Sequence, residues 1–402
     1  MSTHCPLPWI HLATHPQGDV SFCCRVDFKN SVGMSFDNRL DGHRYFNNLN
    51  RDPISRILNS DSMKEVRLKM LKGEKPAACM GCYKAEEHGL ESKRIFESKK
   101  FPLSLAELRA RTSASGEIQP NLEYAELRLG NLCNLKCRTC NPNSSSKWGA
   151  EYASLQDTLS FVTKYDLRAD FTWAENEMFW SDFFQNSPNL KLLYINGGEP
   201  TLIKQHWEFL EKLVNAGSST NIDIKYNINM TYLPENAFSI WKKFKSVSVG
   251  ASIDDIAQRN SYIRHGAQWE KIISNLNLIK ESGFHVAVEQ TVSVYNIFYL
   301  GEMSRYCRDR NLGYGLNFVY DPNYLAINCL PDRVKSIVLS KLQNELSVSH
   351  LNEISSHFKS SEDLNLWSQF RTYNHYLDKS RNENFEEIFP EFSKVLKTEG
   401  FL

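Results

Sequence analysis

The sequence predicts an α/β fold built on a mainly parallel sheet. Two observations carry this. From about Leu122 to Val319, short apolar runs rich in β-branched and aromatic residues alternate with stretches of helical periodicity. Such alternation builds βα units, whose crossover helices force neighbouring strands to run parallel. Residues 331–402, in contrast, show helical spacing and no strand pattern, so a helical extension follows the sheet. A third observation concerns chemistry. Eight of the ten cysteines lie at or before Cys140, most of them in short-spaced groups.

Residues 1 to about 30 read as a hairpin. Trp9-Ile10-His11-Leu12 leads into a turn at Pro16-Gln17-Gly18-Asp19, and Val20-Ser21-Phe22-Cys23 returns. A glycine-containing turn between two β-prone runs is the hairpin signal. Met63–Leu71 has amphipathic helical spacing, stopped by Gly73 and Pro76. Cys79-Met80-Gly81-Cys82 and a charged helix to about Lys100 follow. Residues 101–121 hold Ser-Ala-Ser-Gly and Pro120 with few large apolar side chains, and read as a linker. The strands expected after it are Tyr124–Leu129, Leu192–Ile195, Asp223–Ile228, Ser246–Ala251, His285–Val292 and Gly313–Val319. Between them, Trp269, Ile272, Ile273, Leu276 and Ile279 follow i, i+3, i+4, i+7 spacing, with Gly283 placed to end the helix. In the extension, Val334, Ile337 and Val338 keep helical spacing, and Pro390 suggests a helix start. Domains are therefore expected at 1–100, 122–320 and 321–402, joined by the linker 101–121, in keeping with a 402-residue chain.

Composition narrows the partners. Forty-seven basic residues balance 47 acidic ones, which gives no electrostatic case for nucleic acid or an anionic membrane. No apolar run is long enough to span a bilayer, and the first residues lack a basic start followed by an apolar stretch. These readings place the chain in the cytoplasm. There thiols stay reduced, and close cysteine spacing argues for metal ligation rather than disulfides.

The strongest motif is Cys133-Asn-Leu-Lys-Cys137-Arg-Thr-Cys140, directly after the strand ending at Leu129. Ligands in parallel sheets bind in the loops at strand C-termini. Three thiolates at this spacing can hold three irons of a cubane [4Fe–4S] cluster, leaving the fourth open to a small molecule. A zinc site or buried cysteines are the alternatives. At the end of the next strand comes Gly197-Gly198-Glu199-Pro200. Paired glycines let a ligand approach the backbone closely. Cys5, Cys23, Cys79 and Cys82 could complete a second set of four thiolates, for zinc or for another [4Fe–4S] cluster. Cys24 is an alternative to Cys23. His4, His11 and His15 lie nearby, but four cysteines already suffice.

Together these residues resemble the radical S-adenosylmethionine (SAM) superfamily. Cys133, Cys137 and Cys140 match its cluster triad, and Gly197-Gly198-Glu199-Pro200 matches the motif that contacts the methionyl amino group. Tyr226-Asn227-Ile228-Asn229 resembles the third-strand segment often reading Thr-Asn-Gly, with Met230 where the glycine would stand. Ser252-Ile253-Asp254 resembles the segment near the ribose, and Arg264 the arginine that pairs with the SAM carboxylate. Val292-Ser293-Val294 would lie near adenine. The aromatic residue that often precedes the third cysteine is Thr139 here. The spacing from Cys5 through Gly18 to Cys23 resembles the twitch and SPASM auxiliary-cluster modules, placed before the core rather than after it.

The resemblance implies a partial (β/α)6 TIM-like barrel with a small N-terminal cysteine-rich α+β module. It implies a [4Fe–4S] cluster and SAM as cofactors, with reductive cleavage of SAM to a 5′-deoxyadenosyl radical that abstracts hydrogen from substrate. It further implies a second [4Fe–4S] cluster, an electron donor such as flavodoxin or ferredoxin, and a peptide or protein substrate. A non-catalytic iron–sulfur electron carrier and a zinc-stabilised interaction protein are the competing readings. The sequence names no catalytic acid or base. Tyr320, Asp321 and Tyr324 follow the last strand, but Asp321-Pro322 is foremost a turn signal. Cys307 and Cys329 read as core thiols, and Trp148, Trp173 and Trp180 as packing residues.

Overall fold

The structure, a computed structural model, describes residues 3–26, 32–358 and 362–402. Met1 and Ser2, where the leader expectation begins, lie outside that range. Among the described residues there are ten strands: β1 (His11–Thr14), β2 (Val20–Ser21), β3 (Phe36–Asn38), β4 (Arg44–Phe46), β5 (Tyr124–Leu129), β6 (Leu192–Gly197), β7 (Asp223–Ile228), β8 (Ser246–Ala251), β9 (His285–Val292) and β10 (Gly313–Phe318). The six strands β5 to β10 are the six the sequence predicts, and helices separate them. Eight of the ten strands belong to mainly parallel sheet, which is the predicted α/β class. Among the described residues, no helix is long and apolar enough to cross a membrane.

The chain forms two compact units. The first comprises residues 1–132, 169–226 and 236–247. In it β5 lies parallel to β6 over the whole strand, from Tyr124 opposite Leu192 to Leu129 opposite Gly197. β6 runs parallel to β7. β1 and β2 form the expected antiparallel hairpin, closed by Gly18 at φ +88°. β1 also pairs with β5 in parallel, His11 opposite Tyr124, so the N-terminal segment adds a strand to the sheet. Trp9 and Ile10 belong not to that strand but to a short helix, Leu7–Ile10. Pro6 and Pro8 favour this turn, because the first helical residues need no N–H donor.

Residues 101–121, read as a linker, contain the helix Leu105–Ala110. Ser104 and Glu107 close a capping box at its start, and Leu108 is fully buried. The stretch is tied down by Arg67, whose buried guanidinium donates to the carbonyls of Gly116 (2.8 Å), Pro8 (3.0 Å) and Leu58 (2.8 Å).

The second unit comprises residues 133–168, 227–235 and 248–402. β8, β9 and β10 are parallel neighbours here. The helical extension is as expected: Asp332–Leu342, Val348–His357, Leu364–Arg381, Phe385–Ile388 and Pro390–Thr398, with Pro390 at the start of the last. Its aromatic face (Phe370, Tyr373, Phe385, Phe389, Phe392) packs with Tyr262, Val292, Tyr295 and Tyr299 in one hydrophobic core.

Candidate functional site

In the first unit, the turn after β6 packs tightly against the loop after β5. Gly198 N donates to the Gly130 carbonyl (3.2 Å), and Glu199 N to that of Leu132 (2.7 Å), the residue before Cys133. A Cβ at Gly198 would stand 2.3 Å from the Leu132 carbonyl oxygen, and one at Gly197 would stand 2.6 Å from Leu129 N. The glycine pair therefore admits the loop that begins the cluster motif. Glu199 is buried, and its Oε1 accepts from the Thr201 hydroxyl at 2.7 Å. Gly198→Ala should cost about 1–3 kcal/mol or more, because the clash is with backbone that no rotamer can relieve. A lowered Tm of the metal-free protein would show it, and an unchanged Tm would contradict it.

In the second unit, Cys133 and Cys137 are buried and Cys140 is partly so. Cys140 N donates to the Cys137 carbonyl at 3.0 Å, which turns the loop so that both thiols share a side. A hydrogen bond from Cys140 holds the Cys137 thiol down to about 7 against burial, and Arg264 helps. The same bond and burial push the Cys140 thiol up. A thiolate is the form that binds metal. Asn229 Nδ2 donates to Asn134 Oδ1 (2.8 Å) and lies 3.9 Å from Cys133 Sγ. Met230 occupies the left-handed region at φ +64°, buried, with its carbonyl accepting from Asn275 (2.7 Å). A bulky residue at positive φ is strained. The position demands the conformation glycine adopts freely, which is why a glycine is expected there by resemblance.

Asp254 and Arg264, singled out separately in the sequence, form one buried ion pair at 3.0 Å. Asp254 Oδ1 also accepts from Thr291 N at 2.9 Å, and its carbonyl from Gln290 and Asn296. Arg264 Nε is buried with no hydrogen-bond partner, a donor left over for an anionic or polar group. Ser252 N donates to the Ile228 carbonyl, and Ser252 is half-buried. Sequence reading missed Arg138, a fully buried cation between Cys137 and Cys140. The available signal was a charge at a position flanked by two cysteines of the C-x3-C-x2-C run.

In the first unit, Cys5, Cys23, Cys79 and Cys82 line one cavity of about 570 Å³, together with Arg94 and Lys93. Cys24, His4, His11 and His15 do not line it. Burial pushes the Cys5 and Cys79 thiols up to about 12, so a bound cation or metal is needed to ionise them near neutral pH. Arg25 N donates to Cys23 Sγ at 3.4 Å. Arg94 is fixed by Glu86 and by the His4 carbonyl (2.9 Å). Four thiols, an amide donor to sulfur and a held guanidinium fit a metal–sulfur group. Among the described residues, no three His, Cys, Asp or Glu side chains close on a single ion. A cubane takes one cysteine per iron, so its ligands need not converge on one point. Cys307 and Cys329 are core thiols, 1% exposed each, and Trp148, Trp173 and Trp180 are buried packing residues. Tyr324 is buried, whereas Tyr320 is exposed.

Two family models match the sequence. One, described as an iron–sulfur cluster-binding domain (SPASM), matches residues 5–83. The other, described as the radical SAM superfamily, matches residues 127–304. The chain carries a radical SAM domain and a SPASM domain. A radical SAM domain implies a [4Fe–4S] cluster and SAM, and a SPASM domain implies further iron–sulfur clusters. Similar solved structures include anSMEcpe with bound AdoMet and the Cp18Cys peptide (16% identity, 56% of this chain and 60% of that one, TM-score 0.38). They also include Streptococcus suis SuiB bound to S-adenosylmethionine (14% identity, 84% and 74%, TM-score 0.38). A third is TYW1 with a lysine–pyruvate adduct (15% identity, 56% and 72%, TM-score 0.30). The chain spans about 60% of the length of anSMEcpe. No curated protein matches it.

Proposed function

We propose that this radical SAM enzyme abstracts hydrogen from a peptide or protein substrate. The carrying observation is the three-thiol loop leaving β5, whose second and third thiols have the buried Arg264 beside them with an unused donor. Cys133, Cys137 and Cys140 would each hold one iron. Gly197, Gly198, Glu199, Asn229, Ser252 and Arg264 would hold SAM, with Asp254 acting through Arg264 and Val292–Val294 near adenine. When bound, cluster and SAM supply the one-electron cleavage that yields a 5′-deoxyadenosyl radical. The chain's own part is to bind, orient and exclude water. Asp254 holds Arg264 in a buried ion pair, which keeps water from both groups.

Cys5, Cys23, Cys79 and Cys82 would hold a second [4Fe–4S] cluster. Four protein ligands leave it no open iron, which suits electron transfer and a net oxidation of substrate. The peptide or protein substrate follows from pairing a radical SAM core with this kind of module. Residues 1–100 would be that module, 122–320 the core and 321–402 the extension. The enzyme would work in the cytoplasm and draw electrons from a flavodoxin or ferredoxin.

The test is the EPR spectrum of anaerobically reconstituted, dithionite-reduced protein with and without SAM. We expect a cluster signal that shifts on adding SAM, and 5′-deoxyadenosine on mass spectrometry. A signal indifferent to SAM would mean an electron carrier. Zinc with no cluster signal would mean a structural protein.

A further inference from the structure

We propose that Arg138 is a positioning residue, through which the C-terminal helix Leu364–Arg381 sets the geometry of the cluster loop. This rests on the reading of Cys133, Cys137 and Cys140 as cluster ligands. Arg138 immediately follows Cys137 and is 0% exposed. Its guanidinium lies 3.6 Å from the centroid of the Tyr262 ring. Nη1 donates to Asn374 Oδ1 (2.9 Å), and Nη2 to Asp378 Oδ1 (2.6 Å) and Glu383 Oε2 (2.5 Å). Nε donates to the Tyr262 carbonyl at 3.1 Å. Every nitrogen of the fork is thus bonded, and a planar fork held this way fixes direction as well as charge.

The backbone is held by the same elements. Arg138 N donates to the Ile263 carbonyl (2.7 Å), and the Arg138 carbonyl accepts from the Tyr373 hydroxyl (2.9 Å). On the other side of Cys137, Lys136 N donates to the His265 carbonyl (2.9 Å). Lys136 Nζ pairs with Glu151 at 2.6 Å, and Glu151 pairs with Arg381 at 2.9 Å. Both neighbours of Cys137 are therefore anchored to one helix. Glu383, just beyond it, also binds His265 Nδ1 at 2.8 Å, next to Arg264. The same carboxylate holds the segment carrying Cys137 and the segment carrying Arg264. A solvated surface arginine would show none of this, and stability alone does not call for a buried ionic cluster, since well-packed apolar residues serve as well or better. What such a cluster supplies is a defined position, and preorganised sites need it to within about half an ångström.

The test uses full-length, anaerobically reconstituted protein with Arg138→Gln, Arg138→Lys and Glu383→Gln. Three quantities are read: the EPR spectrum with and without SAM, the rate of iron loss to a chelator, and the Tm of the metal-free chain. Arg138→Gln should lose iron from the SAM-responsive cluster about tenfold faster or more, the scale seen when outer-shell partners of metal ligands are removed. Its SAM-induced spectral shift should be altered or lost. Arg138→Lys keeps the charge without the fork and should fall between. Glu383→Gln, at a partly exposed partner, should move the same readouts in the same direction even if Arg138→Gln fails to fold. Wild-type spectra and iron-loss rates in all three variants, with only a lower Tm, would make the network merely structural and overturn the proposal. A wild-type protein without a SAM-responsive signal would instead overturn the ligand assignment beneath it.

Discussion

Cys137→Ala is expected to abolish the SAM-responsive cluster signal while sparing the other one. A cubane is held by one thiolate per iron, so loss of one of three ligands leaves two irons open and the cluster labile. No spare thiol in the second unit is placed to substitute, because Cys307 and Cys329 are buried in the core and Cys329 Sγ is engaged with the Tyr324 carbonyl at 3.4 Å. The loop cannot shift to recruit one, since the amides on both sides of Cys137 are bonded to the Ile263 and His265 carbonyls. Iron analysis should fall by about four atoms per chain, the content of one cubane. Cys79→Ala should give the complement: the SAM-responsive signal stays and the SAM-indifferent one goes. A SAM-shifted spectrum surviving in Cys137→Ala would show that another residue binds the cluster.

The second large effect is expected at Asp254. Asp254→Ala removes the only ion-pair partner found for Arg264 among the described residues and leaves a buried guanidinium charge uncompensated. Breaking a buried pair from one side costs about 3–5 kcal/mol. It also frees Thr291 N, which now donates to Asp254 Oδ1. The double variant Asp254→Asn with Arg264→Gln should recover part of that loss, because neither partner is then left charged. A double-mutant cycle on the Tm of the metal-free protein measures the coupling. SAM affinity separates two consequences: the double variant should regain stability without regaining SAM binding. Full recovery of SAM binding in the double variant would remove Arg264 from the cofactor site.

Much of this was legible in the sequence, for identifiable reasons. β5, β7, β8 and β9 have the predicted bounds because β-branched and apolar runs flanked by polar turns leave little choice of where a strand ends. The two clusters of thiols were legible because cysteine spacing carries metal chemistry directly. Pairing between distant segments was not. Nothing in His11–Thr14 announces that it lies parallel to β5, although all four of its residues are buried, as expected for a strand covered on both faces. The helix at Leu105–Ala110 escaped because its one buried leucine gives little periodicity, although Ser104 and Glu107 stood three apart as a capping signature. Asp254 and Arg264 were each visible, but their pairing is a tertiary fact about residues ten apart in sequence. Arg138 looked like any loop arginine until its burial was known.

The parallel pairing of β1 with β5 bears on how the chain can be cut and how it avoids self-association. An unpaired strand edge invites a second chain to add to it. β5 carries fully buried Ala125, Leu127 and Leu129, and its free flank would be a six-residue edge of unpaired backbone groups. β1 covers that flank, and β2, only two residues long, then ends the row with too little backbone to template another molecule. The N-terminal segment is thus also a guard against fibrous assembly. A barrel produced without it would expose a sticky seam, and insolubility of such a fragment would say nothing about whether the cluster loop itself can fold.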